Sequence, residues 1–278
     1  MSPLTQGIAD LLAPLRNDPD ASAILCDIDG TLATIVADPA DAFVPAETQR
    51  ALRALAGRFA LVACVSGRRA ADARKRVGVE ELTYAGNHGL ELLEPGATEV
   101  AVDPAIGAGA DAVRAFVRGL DAGSLRGSGF RLEDKGPIQA LHWRGVADPD
   151  LAEERALEIA AAARGAGLEP RLGRRVLELR PTAEIDKGTT VRGLLDRSGA
   201  SMALFAGDDR TDLDAFDALR SMLEEGVLRV GLRIGVSSEE APPGLESASD
   251  AVVSGPEELR VVLEALAAAP RRSPAGRG

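Results

Sequence analysis

A chain of 278 residues with 45% hydrophobic residues is long enough to bury a real core, in one large domain or two modest ones, and its composition excludes disorder as the default. With 43 acidic against 32 basic residues the net charge is −11, which excludes an electrostatic footprint for nucleic acid or an anionic membrane. No apolar run approaches the roughly 20 residues of a membrane span, and the first residues lack the pattern of a signal peptide, so a cytoplasmic location is expected. Cys26 and Cys64 lie inside apolar runs and outside any paired Cys/His spacing, which predicts buried free thiols.

From residue 21 to 77 the pattern reads strand, loop, helix, strand, loop, helix. Apolar runs at Ala23 to Cys26 and Phe59 to Val65 each end in a polar cluster, as βαβ units do. Between them Pro45 opens a helical stretch carrying Leu52, Leu55 and Phe59. A third strand over Leu82 to Ala85 runs into the loop Gly86-Asn87-His88-Gly89, with Leu90 to Leu93 extended beyond it. The segment from about 103 to 180 reads differently. It predicts a helix over Ala110 to Leu120, strands at Phe130 to Glu133 and Ile138 to Trp143, a helix over Pro149 to Arg164, and strands at Leu168 to Leu172 and Val176 to Leu179, a small α+β insert. After residue 184 the βαβ rhythm resumes with a helix over Thr189 to Arg197, a strand at Met202 to Ala206, a helix near Asp212 to Glu224, and strands around Arg229 to Val236 and Ala251 to Val253. The expected architecture is α/β, a Rossmann-like parallel sheet over 1–103 and 184–270, interrupted by an α+β domain over 104–183 and followed by a disordered tail over 271–278.

Chemistry concentrates at strand ends, where open α/β sheets bind ligands. Asp27-Ile28-Asp29-Gly30-Thr31 follows the first strand directly. Two carboxylates one residue apart before a glycine can converge on one phosphate, Asp27 attacking phosphorus and Asp29 serving as general acid and base; an acidic turn is the alternative. Gly207-Asp208-Asp209-Arg210-Thr211-Asp212 follows another strand, and its repulsion calls for a counterion. Mg²⁺ takes hard oxygen ligands, so Asp27 with Asp208 is a plausible pair, whereas Asp212 could equally cap the helix behind it. Ser66-Gly67-Arg68 leads from the second strand into a helix and suits an anion, with Arg68 read either as a phosphate neighbour or as a surface charge. Lys187 opens the helix of the resumed sheet, where its ammonium would offset the carboxylates.

These four motifs, in this order, resemble the haloacid dehalogenase superfamily of phosphohydrolases. The resemblance implies a core of that type, an aspartyl-phosphate on Asp27, and Asp29 as acid/base and as a metal ligand through its backbone carbonyl. It further implies Mg²⁺ completed by Asp208 with support from Asp212, and a phosphoryl group held by Ser66 and Lys187; Gly67 and Arg68, in the same turn, are expected among the substrate-binding residues. The insert stands where that superfamily carries a type-II cap. In finer detail Gly207 to Phe216, Glu133-Asp134-Lys135-Gly136, Leu141-His142-Trp143-Arg144, Glu178-Leu179-Arg180-Pro181 and Gly86 to Glu91 are similar to signatures of the trehalose-6-phosphate phosphatase family, with Leu213 in place of the usual acid. On residue chemistry alone Glu133, Lys135 and Glu178 can hydrogen-bond sugar hydroxyls or form a solvated strand face. The resemblance makes them substrate contacts, adds His142 to them, leaves His88 as a loop organiser, and implies trehalose 6-phosphate as substrate and a trehalose-6-phosphate synthase as pathway partner. Another capped sugar phosphatase, for sucrose phosphate or mannosyl-phosphoglycerate, shares every core residue. A phosphosugar mutase or a non-catalytic metal-binding module fits the motifs less well.

Overall fold

Strand β1 (Ser22–Cys26) is buried at every residue and forms the middle of a sheet that is covered on both faces. In the computed structural model, which describes residues 5–36, 42–102, 104–120, 125, 129–182, 185–238 and 241–268, the chain divides into two compact units, Met1–Val100 with Ile185–Gly278, and Ala101–Glu184. The segment expected to be a disordered tail, 271–278, lies outside the described residues.

The first unit holds β1, β2 (Leu61–Val65), β3 (Thr83–Gly86), β4 (Glu91–Leu93), β9 (Met202–Gly207), β10 (Val230–Val236) and β11 (Ala251–Val253), in the order β11-β10-β9-β1-β2-β3-β4. All neighbours pair in parallel except β4, an antiparallel edge on β3. Period-two alternation sorts β1 onto two cores. Ile24 and Cys26 face one that includes Leu12 and Leu15 of α1 (Gln6–Asn17), Leu52 and Leu55 of α2 (Ala46–Ala56), Ala73 and Val77 of α3 (Ala70–Val77), and Leu259 and Leu263 of α9 (Pro256–Ala267). Ala23 and Leu25 face the other, with Val191 and Leu195 of α6 (Lys187–Ser198), Phe216 and Leu219 of α7 (Asp212–Glu224), and Leu245 of α8 (Leu245–Ala248). Cys26 pairs with Cys64 on one side and Ala206 on the other, so the chain leaves β1, β2 and β9 at one level of the sheet. Both cysteines are buried free thiols.

Helices α1 and α9 fall outside the elements named from sequence, although Ile8, Leu12 and Leu15, and Leu259, Val262, Leu263 and Leu266, keep helical spacing. Strand β2 starts at Leu61, two residues later than the apolar run. Phe59 belongs to the turn that ends α2, where its N–H donates to Leu55 O at 2.9 Å.

The second unit packs α4 (Pro104–Gly119) and α5 (Pro149–Gly165) on an antiparallel sheet of β5 (Arg131–Asp134), β6 (Gln139–His142), β7 (Leu168–Gly173) and β8 (Val176–Pro181), ordered β5-β6-β8-β7. Leu141, Leu177 and Leu179 turn into its own core with Val113, Ile159 and Trp143. Trp143 meets Phe130 edge to face, centroids 5.8 Å apart. No helix among the described residues is long and apolar enough to cross a membrane.

Candidate active site

Asp27 is the first residue beyond β1, and its N–H donates to Ala206 O of β9 at 2.9 Å, which continues the ladder and fixes the carboxylate at the sheet's end. Lys187 begins α6, whose start is set by a reciprocal cap between Asp186 and Thr189. Its Nζ donates to Asp27 Oδ1 and to Asp212 Oδ1, each at 2.7 Å, and stands 3.7 Å from Asp209 Oδ1. Burial opposes the charge on Lys187, but Asp27, Asp212 and Asp209 outweigh it and hold the ammonium above its ordinary range. Removing that ammonium would leave buried carboxylates uncompensated, a loss on the order of 3–5 kcal/mol.

The acidic loop after β9 is organised by its last residue. Asp212 is fully buried, and its Oδ2 accepts from the N–H groups of Asp208 and Asp209 at 2.9 and 3.0 Å. A Cβ on Gly207 would stand 2.3 Å from Asp212 Cγ, so the closeness of this turn requires glycine there. Asp208 Oδ1 accepts from the buried Thr31 hydroxyl at 2.7 Å, tying the loop after β9 to the loop after β1. Gly30, at φ +89°, lies under the same carboxylate, and a Cβ there would be 2.1 Å from Asp208 Oδ2. Burial is the main reason that Asp208 is pushed up to about 6 and Asp212 to about 7, and it also raises Asp27 against the pull of Lys187.

Asp27, Asp208 and Asp212 each offer an oxygen within 4.8 Å of the others, the one such group among the described residues. Three hard oxygens in a buried, carboxylate-rich pocket fit a divalent cation such as Mg²⁺. Lys187 and Thr31 occupy Oδ1 of Asp27 and of Asp208, and both Asp212 oxygens already accept hydrogen bonds. Oδ2 of Asp27 and of Asp208 are therefore the oxygens best placed to serve a cation.

On the other side of β1, the turn after β2 is held from below. Ser66 is buried, its Oγ accepts from Arg68 N at 3.2 Å, and its carbonyl accepts from His88 N at 2.9 Å. Asn87 N donates to Arg68 O at 2.7 Å, and the buried Glu91 accepts from Ala70 N at 2.8 Å at the start of α3. Asn87 and His88 both take positive φ, 49° and 58°, and the His88 ring covers Gly67, where a Cβ would come within 2.9 Å of Nε2. Arg68 directs its guanidinium at Asp29, with Nε to Oδ2 at 2.6 Å and Nη2 to Oδ1 at 2.7 Å.

Glu133, Lys135, His142 and Glu178 all belong to the second unit, where they form two pairs. His142 Nε2 meets Glu133 Oε2 at 2.6 Å, and Lys135 Nζ donates to Glu178 Oε1 at 2.8 Å. The register Glu133↔Ala140↔Glu178 puts the two acids on one face of that sheet, opposite the face that carries Leu141, Leu177 and Leu179. The structure thus gathers Asp27, Lys187, Asp208 and Asp212 in one cluster, and seats Asp29 with Arg68. Thr31, Asp209 and Glu91 carry no role legible from sequence, although each lies within a motif quoted for another residue. Asp72, which Arg68 also contacts, had only its i+4 spacing as a signal.

Residues 25–253 match the family model described as trehalose-phosphatase. Over 215 residues the chain is 40% identical to the trehalose-phosphate phosphatase of Mycobacterium avium (strain 104), a match covering 74% of this chain and 53% of that one. The chain spans about half the length of the curated relatives it matches first. Among solved structures, its fold is similar to a trehalose-6-phosphate phosphatase related protein, with TM-score 0.66 and 23% identity over 88% of this chain and 96% of that one. It is likewise similar to the C-terminal domain of the Candida albicans trehalose-6-phosphate phosphatase, with TM-score 0.65 and 22% identity over 93% and 96%.

Proposed function

The chain belongs to the trehalose-phosphatase family, and from that premise we propose that it hydrolyses trehalose 6-phosphate to trehalose and inorganic phosphate through a phosphorylated Asp27. The observation that carries the proposal is the buried Asp27 carboxylate, held by Lys187 Nζ at 2.7 Å in a cluster with Asp208 and Asp212. A carboxylate fixed by an ammonium at a strand end is pre-organised for attack on phosphorus. In the first step an Asp27 oxygen forms the P–O bond, the bond from phosphorus to the sugar oxygen breaks, and Asp29 gives that oxygen a proton. In the second, Asp29 takes a proton from water, the water oxygen bonds to phosphorus, and Asp27 leaves as carboxylate with phosphate released. Ser66, the Gly67 turn and Lys187 hold the phosphoryl oxygens, and Lys187 offsets charge that builds up in the transition state.

Mg²⁺ is the proposed cofactor, supported by the oxygens that Asp27, Asp208 and Asp212 bring within 4.8 Å of one another, with the Asp29 carbonyl added by the resemblance; when bound it would supply charge neutralisation between carboxylates and phosphate. Asp212 acts on the site by fixing the Asp208 and Asp209 amides and Lys187. The second unit is the proposed cap, its paired Glu133, His142, Lys135 and Glu178 reading the sugar hydroxyls. The proposed compartment is the cytoplasm, a reading supported by the two free thiols, with a trehalose-6-phosphate synthase as source of the substrate.

The test is phosphate release across a panel of sugar phosphates with Mg²⁺ and with a chelator. Trehalose 6-phosphate should be the preferred substrate and the chelator should abolish turnover. Asp27→Asn should remove turnover while the thermal melt stays cooperative. Full activity in that variant, or a preference for sucrose phosphate, would refute the corresponding part of the proposal.

A further inference from the structure

The fork of Arg68 takes both oxygens of Asp29, at 2.6 and 2.7 Å, a bidentate geometry that sets the plane of the carboxylate as well as its place. The remaining nitrogen, Nη1, donates to Asp72 Oδ2 at 3.2 Å, one turn further along α3. The same Asp72 oxygen accepts from Arg76 Nε at 2.8 Å, one turn further again. Arg76 is fastened at its far end, with Nη1 on Ala42 O at 3.2 Å and its guanidinium 5.6 Å from the centroid of the Phe43 ring. Residues 68, 72 and 76 share one face around the start of α3 and along it, so charges of alternating sign form a strut that ends on Asp29. The Asp29 side chain needs such a support. It is 37% exposed and sits on a short loop at a strand mouth, whereas Arg68 is 15% exposed and Arg76 13%.

We propose that Arg68 is a positioning residue for Asp29, with Asp72 and Arg76 as the strut that fixes the guanidinium plane. The inference rests on the reading of Asp29 as the group that exchanges protons with the leaving oxygen and with water. In its protonated form, regenerated by the proton taken from water in the preceding turnover, Asp29 gives up one fork hydrogen bond and donates from that oxygen to the leaving oxygen, while the other fork hydrogen bond keeps the carboxyl aimed. A lysine at position 68 keeps the charge but has no fork.

The test compares two substrates that differ in their need for a proton. Trehalose 6-phosphate releases an alkoxide-like oxygen that must be protonated, whereas para-nitrophenyl phosphate releases a stable phenolate. Hydrolysis of the phosphoenzyme also uses Asp29 and is common to both substrates, so the readout is kcat/KM, which covers only the steps up to loss of the leaving group. With Mg²⁺ present, Arg68→Lys should lower kcat/KM for trehalose 6-phosphate about tenfold or more and change it for para-nitrophenyl phosphate by less than about twofold. Asp72→Asn, which leaves the fork and removes its anchor, should shift the same ratio in the same direction by a smaller factor, with the fold checked by thermal melting. Equal losses on both substrates in both variants, or a rise in KM for both with kcat retained, would overturn the inference and make Arg68 a structural or phosphate-binding residue. Asp29→Asn separates the two readings. If it shows the substrate-dependent loss in kcat/KM and the Arg68 and Asp72 variants do not, the strut fails; if Asp29→Asn lowers kcat/KM equally for both substrates, the role of Asp29 as acid toward the leaving oxygen fails instead.

Discussion

Gly30 does two things at one position. Its φ of +89° is open to glycine and costs another residue about 1–2 kcal/mol, and the missing Cβ leaves room for Asp208 Oδ2, which would otherwise lie 2.1 Å away. Gly199, which caps α6 at φ +66°, shares the first property and has open space around it. Gly199→Ala should therefore lose about 1–2 kcal/mol in urea and Gly30→Ala more than that, and only Gly30→Ala should weaken Mg²⁺ binding by calorimetric titration, by about tenfold or more, as the displaced carboxylate leaves the donor set. Matching Mg²⁺ affinities in the two variants would remove Asp208 from the proposed site. Thr31 belongs to the same group of contacts, since its hydroxyl is the hydrogen-bond donor that orients Asp208.

At the scale of elements, the last strand pair shows how an ion pair near the surface contributes. Arg233 of β10 donates its N–H to Asp250 Oδ2 at 2.8 Å, its Nε to the same oxygen at 3.0 Å, and its Nη2 to Oδ1 at 2.7 Å, just ahead of β11. Burial pushes Asp250 up, but these hydrogen bonds and the guanidinium charge outweigh it and hold the carboxyl below its usual range. A depressed carboxyl stabilises the fold above its unfolded pKa and loses that contribution as pH falls through the folded one. Asp250→Asn should cost about 1 kcal/mol at neutral pH, discounted for solvent screening, and the difference should shrink as pH falls from about 5 towards 3. Urea unfolding across that range decides it, and a pH-independent difference would mean that packing, not charge, is what the variant loses. Elements with strong patterns were legible in the sequence: the runs at β1 and β9 are continuous, and the polar clusters after them named Asp27 and Asp208. What escaped was set by tertiary contact. No side-chain hydrogen bond caps the start of α1 or α9, and the contact of Arg68 with Asp29 spans 39 positions of sequence, which no local spacing could announce.

Across the whole molecule, the proposal divides chemistry and selectivity between different stretches of chain. The proposed catalytic residues lie in the unit built from Met1–Val100 and Ile185–Gly278, and the proposed sugar contacts in Ala101–Glu184, which has a separate core. Glu178→Ala removes the acceptor of the Lys135 hydrogen bond and should depress kcat/KM for trehalose 6-phosphate about tenfold or more while sparing a small aryl phosphate, because lost hydroxyl partners are felt only by the sugar. Equal losses on both would place Glu178 in the fold rather than in recognition. The order along the chain, with catalytic motifs on both sides of the insert, was readable from motif spacing; the pairing of Glu133 with His142 and of Lys135 with Glu178 was not, because strand register decides it. The aromatic residues divide in the same way. The chain has one tryptophan and one tyrosine, and Trp143 lies in the core of the second unit while Tyr84 lies in the core of the first. Each unit thus carries its own native fluorophore. Emission excited at the red edge of tryptophan absorption reports the environment of the second unit alone, so a sugar arriving at that unit could be followed in solution without attaching a dye.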